Sequence, residues 1–147
     1  MRSRRDENGA ALVELVLVLP IFLFVIFSMI SIGVMFSFRQ TLSQAATEGA
    51  RAAVVAPANL TFTQRRDRAI VAVNEAFDGQ SGDPVTCGTG GLTCTIPSIP
   101  TSCGSSDQCI SVTLDYAYAA HPRIQLPQLF GFVLPDTLTY TASARIK

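Results

Sequence analysis

The chain has 147 residues, of which 48% are hydrophobic, with eleven basic side chains balanced by eleven acidic ones. A formal net charge of zero offers no basic face for nucleic acid. The length leaves room for one small folded domain beyond a membrane segment, and no internal repeat is visible.

Met1–Gly9 is a polar stretch that carries Arg2, Arg4 and Arg5. From Leu15 to Phe38 no residue is charged. As a helix these 24 residues span roughly 36 Å, and a bilayer core is about 30 Å thick. The run therefore suits a membrane-crossing helix. It exceeds the roughly 7–15 apolar residues of a secretory signal, and the small-x-small site at Ala50-Arg51-Ala52 lies too far beyond it for signal peptidase. A retained span is expected. The arginines before it predict a cytoplasmic N-terminus and a C-terminal portion outside the cytoplasm, and Arg39 weakens the bias only slightly.

One carboxylate, Glu14, stands at the head of the run. A charge in lipid costs on the order of 2.5–3.5 kcal/mol or more at the bilayer centre, so such a group implies a neutralising partner. A free amine on a neighbouring chain, made by a cut before Ala10, would serve; the bland alternative is that Glu14 snorkels to the nearby interface. Pro20 removes a backbone donor and should kink or loosen the span. Ser28, Ser31, Gly33 and Ser37 could admit another helix, with Gly33 and Ser37 forming a small-xxx-small pair.

The helix is expected to continue past the membrane. Leu42, Ala46, Gly49, Ala50, Ala53 and Val54 recur at helical spacing, Glu48 and Arg51 can pair, and Pro57 supplies a stop. This small-residue stripe suits a neighbouring helix, a sheet or the chain's own domain. A second helix should start at Thr61 or Thr63, bury Ile70, Val73 and Phe77, and end at Gly79. Its Arg65, Arg66 and Arg68 lie among Asp67, Glu75 and Asp78 and read as a solvated face, with lipid head groups or a partner as the alternative.

Strands follow. Ile110, Val112, Leu114, Tyr116 and Tyr118 alternate with polar or small residues, as do Leu138, Tyr140, Ala142, Ala144 and Ile146. A hairpin over Val85–Ile96, turning at Gly90-Gly91, would pair Cys87 with Cys94. The rest of Gly79–Ser106 reads as loop. Between the last strands, Ala120–Pro135 holds three prolines among apolar residues and reads as a loop folded on a core, a neighbour or the membrane surface. All four cysteines (Cys87, Cys94, Cys103 and Cys109) fall in the outer portion, where disulfides persist. Sequential pairing, Cys87–Cys94 and Cys103–Cys109, follows from the hairpin and the short loops; nested pairing is its rival. The spacing lacks a CxxC pair and is a poor zinc pattern. His121 sits in a turn-like His-Pro-Arg sequence, and Gly88–Gly91 precedes no helix that could hold a phosphate. No catalytic set, metal, cofactor or small-molecule substrate is expected.

The expected class is α+β. Residues 1–9 form a cytoplasmic leader, 10–38 a transmembrane helix and 39–56 its extension. Residues 57–147 form a disulfide-bonded domain with one helix and a small antiparallel sheet.

The run Gly9-x-Ala11-x-x-Glu14, with Leu19-Pro20, Gly33, Leu42, Ala45-Ala46 and Glu48-Gly49-Ala50-Arg51, resembles the TadE-like family. These are minor pilins or pseudopilins of the tight-adherence (Tad, type IVc) pilus. The resemblance is strongest over residues 9–53. A looser one covers Val112-x-x-x-Tyr116, the proline-punctuated loop and Leu138-Thr139-x-Thr141-Ala142-x-Ala144. It implies a prepilin cut by a prepilin peptidase between Gly9 and Ala10, which places Glu14 at the fifth mature position. It implies partners among other pilins and minor pilins, the inner-membrane assembly platform and membrane lipid, and residence in a bacterial cytoplasmic membrane or, after assembly, in the extracellular pilus. Two features depart from major Tad pilins: Leu15 stands where they have tyrosine, and the outer domain of about 90 residues is far larger. Both point away from the main filament subunit. A single-pass envelope protein whose outer domain binds a surface or another protein is the alternative, and an extracytoplasmic enzyme is a third reading without a catalytic set behind it.

Overall fold

A run of 52 residues forms one helix, α1 (Arg4–Val55), in the computed structural model. The structure describes residues 4–57, 59–78, 84–103, 107–123 and 135–146; for residues 4–8 and 10 it describes the helical backbone alone. At about 1.5 Å per residue, α1 is roughly 78 Å long. It begins inside the expected leader and runs through Pro20 without interruption. Hydroxyls within it turn back on the helix rather than seek water: Ser28 donates to the Phe24 carbonyl at 2.8 Å, Ser31 to Phe27 at 2.6 Å and Thr47 to Ser43 at 2.8 Å.

The two halves of α1 have different surroundings. From Leu12 to Ile30 the large apolar side chains other than the half-buried Ile26 are exposed, most by more than 40%. From Ser31 onward one stripe is buried: Ser31, Met35, Phe38, Leu42, Ala45, Ala46, Gly49, Ala50 and Ala53. The spacing of three and four keeps these on one side of the helix.

The second helix, α2 (Phe62–Phe77), starts on Thr61, whose hydroxyl accepts from the Gln64 amide while the Gln64 side chain accepts from the Thr61 amide. This reciprocal pair satisfies two of the free donors of the first turn. α2 runs antiparallel to the C-terminal half of α1, with Arg65 beside Ala53–Pro57, Val73 beside Gly49 and Phe77 beside Phe38. Gly49 permits the close approach, because a Cβ there would stand 2.7 Å from Val73 Cγ2 and 3.3 Å from the Ala69 carbonyl oxygen. The helix stops on Asp78; the expected stop at Gly79 lies outside the described residues.

The sheet has four strands: β1 (Leu92–Thr95), β2 (Thr101–Ser102), β3 (Gln108–Tyr116) and β4 (Leu138–Ile146). β3 is central and all pairings are antiparallel; β1 and β2 share one side of it, and β4 runs along the other from Tyr116↔Leu138 to Gln108↔Ile146. Ile110, Val112, Leu114 and Tyr116 point to the helices and are fully or nearly fully buried. The opposite face is polar, with Thr113 bonded to Thr141 at 3.0 Å and Thr139 donating to Asp115 at 2.6 Å. Helices on one face of an antiparallel sheet give an α+β domain.

The hairpin expected over Val85–Ile96 does not form. Leu92–Thr95 pairs with Tyr116–Thr113 of β3 instead. Residues 86–92 close a tight loop, with the Gly88 amide donating to the Leu92 carbonyl at 2.8 Å and the Thr89 amide to Thr86 at 2.9 Å. Gly88, Gly90 and Gly91 all hold positive φ there, and His121 packs so closely over Gly91 that a Cβ has no room. Burial of Leu92 opposite Tyr116, at 1% and 2% exposure, outweighs a local two-stranded turn, which is marginal in water by itself. Cys87 is nevertheless bonded to Cys94, and Cys103 to Cys109. Of the proline-punctuated segment, residues 124–134 lie outside the described residues.

Candidate membrane and assembly helix

The residues singled out for function lie along α1. Gly9 and Glu14 are exposed near its start, and a Cβ at Gly9 would meet nothing within 4 Å. Among the described residues no contact requires glycine there. No ion pair to Glu14 exists among the described residues. Gly33 and Ser37 are exposed, and Gly33 too has open space around it. At about 100° per residue they lie roughly 150° around the helix from the stripe that the domain covers. The span's small-xxx-small pair thus faces outward, unlike Ala45, Ala46, Gly49, Ala50 and Ala53, which the domain occupies. Pro20 is exposed in the middle of the apolar stretch.

α1 is long and apolar enough to cross a membrane. Its exposed side chains from Leu12 to Ile30 form the largest apolar surface on the described molecule. Contiguous apolar surface of that extent marks a lipid or protein contact. On the C-terminal half the exposed side is polar, with Arg39, Gln40, Gln44, Thr47, Glu48 and Arg51, and Arg51 stands 3.9 Å from Glu48.

The arginine cluster of α2 is not a uniform solvated face. Arg65 is buried, and its guanidinium donates to the carbonyls of Ala53 at 3.0 Å, Ala56 at 3.3 Å and Pro57 at 3.0 Å. These carbonyls lie at and just beyond the end of α1, whose last turn has no basic residue of its own, and that of Pro57 also accepts from the Leu60 amide. The cation also meets the negative end of the helix dipole. Three neighbouring arginines with three nearby carboxylates look alike in the sequence. The one signal that α1 needed a cation from elsewhere was its last turn, which lacks one.

Around Phe38 an aromatic cluster clasps α1. Phe38 lies 4.4 Å from Tyr116, 6.0 Å from Phe77 and 6.3 Å from Tyr118 between ring centroids, with the Arg123 guanidinium 4.8 Å above its ring. The Tyr116 hydroxyl donates to the His121 carbonyl at 2.7 Å. His121 thus holds a turn together. Among the described residues no three His, Cys, Asp or Glu side chains gather as a metal site would require.

Residues 9–51 match the family model described as TadE-like protein. That segment is TadE-like. The match opens on Gly9 and closes within the last two turns of α1, so it follows the helix and stops short of the sheet domain. No curated protein and no solved structure matches the chain. The TadE-like match associates the chain with the Tad pilus and with pilus components as the general class of partner.

Proposed function

We propose that this chain is a structural minor pilin or pseudopilin of a bacterial Tad (type IVc) pilus. It is made as a prepilin, crosses the cytoplasmic membrane once with its N-terminus inside, and acts in pilus assembly or at the pilus base or tip. The observation that carries this reading is the coincidence of the TadE-like match with a helix whose first half exposes its large apolar side chains and whose second half buries one face against a folded domain.

The physics of assembly follows from the exposed apolar half. In the membrane, lipid covers Leu12–Ile30; in a filament, the equivalent helices of neighbouring subunits cover it. Lipid tails are as apolar as leucine side chains, so the hydrophobic effect does not drive that exchange. Specific contacts must. The outward Gly33–Ser37 edge lets a second helix approach closely. Glu14 supplies the other contact, by pairing with the amine that a cut between Gly9 and Ala10 creates on Ala10 of a neighbouring subunit. Both the cut and the carboxylate are needed.

The partners of this reading are other pilin subunits and minor pilins, the prepilin peptidase, the assembly platform and lipid. Glu14→Gln tests it, since the amide keeps size and polarity without the charge. The variant should insert into membranes like the wild type, while its amount in sheared filaments falls at least several-fold. Equal incorporation would reject the ion pair. Absence of the wild-type chain from pilus preparations, together with normal piliation when it is deleted, would favour an envelope-anchored binding protein instead.

A further inference from the structure

Two opposite sides of the folded domain carry complementary charge. On α2, Asp67, Val71, Glu75 and Asp78 recur at spacings of four, four and three, and all are exposed. They form one strip on the side away from Arg65, Ala69 and Val73, which face α1. Arg68 flanks the strip, and its three carboxylates form no ion pair among the described residues. On the other side of α1 a groove runs along β4. Phe36, Arg39, Leu138 and Tyr140 line the part nearer the apolar half, of about 340 Å³. Thr47, Arg51, Val54 and Ala142 line the far part, of about 210 Å³. Arg39, Thr47 and Val54 lie roughly 140–160° around α1 from Ala52, which lines the cleft with α2. Arg39 is exposed without an ion pair among the described residues, and Arg51 shares one exposed contact of 3.9 Å with Glu48.

The charges also stand at matching heights. Arg39 and Arg51 are twelve residues apart, roughly 18 Å of helix, and Asp67 and Asp78 are eleven apart, roughly 16.5 Å. α2 is antiparallel to α1. Asp78 follows Phe77, whose ring centroid is 6.0 Å from that of Phe38, and so lies level with Arg39. Asp67 is two residues beyond Arg65, which bonds to Ala53 at 3.0 Å, and so lies level with Arg51. We infer that a second copy of this chain, standing beside the first with the same orientation, docks its α2 strip in the groove between α1 and β4. Asp78 and Glu75 of one copy then meet Arg39 of the next, Asp67 meets Arg51, and Val71 enters the far part of the groove. This rests on the reading of α1 as a membrane anchor, which gives every copy one orientation, and it adds an outer-domain contact to the helix contacts of assembly.

The contact joins two different surfaces, so each copy in a pair keeps one strip or one groove free and the row can extend. Pairing like sides would set carboxylates against carboxylates or guanidiniums against guanidiniums, which is repulsive. Exposed ion pairs are individually weak and are screened by salt. The apolar members of the contact, Val71 on the strip and Phe36 and Tyr140 in the groove, are 54%, 53% and 40% exposed in the single chain and gain cover on docking. Confinement to one membrane raises the effective concentration of copies, so a weak contact suffices.

Lys147 is the only lysine in the sequence, so a carbodiimide, which joins amines to carboxylates, has few targets. Arg39→Lys and Arg51→Lys keep the charge and place an amine at either end of the groove. The full chain, as a mixture of isotopically light and heavy protein, would be reconstituted in neutral phosphatidylcholine vesicles and treated with a water-soluble carbodiimide. Each variant should give a ladder of dimers and larger species at least several-fold stronger than the wild type, thinning as salt is raised. Mixed-isotope peptides should join position 39 to Asp78 or Glu75, and position 51 to Asp67. In the Arg51→Lys chain, Asp78→Arg should weaken the link from 51 to Asp67 several-fold, and adding Arg39→Asp should restore it, a rescue that loss of folding would not allow. A ladder no stronger than the wild type's, links confined to single chains, or dimers without larger species would each overturn the packing. Vesicles that float without the chain would sink the anchor reading and the shared orientation with it; vesicles that retain the chain but yield no ladder would sink the packing alone.

Discussion

Arg65 shows what a single side chain does for a long helix. It replaces water and a local cation at the carbonyl end of α1. Hydrogen bonds to charged groups contribute about 1.5–3 kcal/mol. Arg65→Met keeps the apolar stem and strips the donors, so the domain should lose about 2–3 kcal/mol, read as an earlier denaturant midpoint in detergent. Arg65→Lys should recover only part of it, because an ammonium cannot span carbonyls from Ala53 to Pro57 as the planar fork does. An unchanged midpoint in Arg65→Met would remove the cap from the account. Tyr118 makes a second prediction. Burial, and then the neighbouring Tyr116, raise its phenol pKa above the ordinary 10.0, with Arg123 opposing. The folded state therefore holds this proton more tightly than the unfolded chain. The stability it contributes is complete below pH 10 and is lost as pH rises through the raised value. The difference between the tyrosinate absorbance titrations of wild type and Tyr118→Phe should centre on the alkaline side of 10; a difference centred at or below 10 would contradict it.

At the scale of elements, two glycines of α1 should behave in opposite ways. Gly49 is where α2 approaches, and Gly49→Val would force a branched side chain against Val73 and the Ala69 carbonyl. Overpacking of this kind typically costs about 1–3 kcal/mol, visible as a lower melting temperature. Gly33 has open space, so Gly33→Leu should leave the domain's melting unchanged and reduce crosslinking to neighbouring subunits in membranes. Equal crosslinking would make Gly33 a bystander. β3 was legible because its period of two coincides with one buried and one more polar face, β4 because the same period survives on a face that is only half-buried beyond Leu138, and α2 because Thr61 and Gln64 carry a local capping signal. The stripe Ala46–Gly49–Ala50–Ala53 was legible as a contact, although the occupant, the chain's own domain, was not. Features set by distant residues stayed hidden. The pairing of Leu92 with Tyr116 displaced the local hairpin, and Arg65 found its partners eight to twelve positions back. Among the site residues, the positions of Gly9, Glu14, Gly33 and Ser37 could be read, whereas the point on α1 where one face becomes buried by the domain needed the fold.

At the scale of the whole molecule, a long apolar helix carries a small folded head packed on its C-terminal half. The head's core is thin, and two short disulfide loops brace the sheet edge that β1 and β2 occupy. Closing loops this small stabilises by about 2–3 kcal/mol each on the chain-entropy account. Reduction should therefore lower the head's melting temperature while leaving α1 helical and membrane-bound, which far-UV dichroism of reduced proteoliposomes can show. Loss of the helical signal along with the head would mean that the rod depends on it. The rod's role in assembly turns on its first residue. Mass spectrometry of the N-terminus, on protein from native membranes of a strain with an active prepilin peptidase, tests the central claim most directly. The account predicts a chain that starts at Ala10, with a free or methylated amine available to Glu14 of a neighbour. A chain that still carries Met1–Gly9 would contradict it.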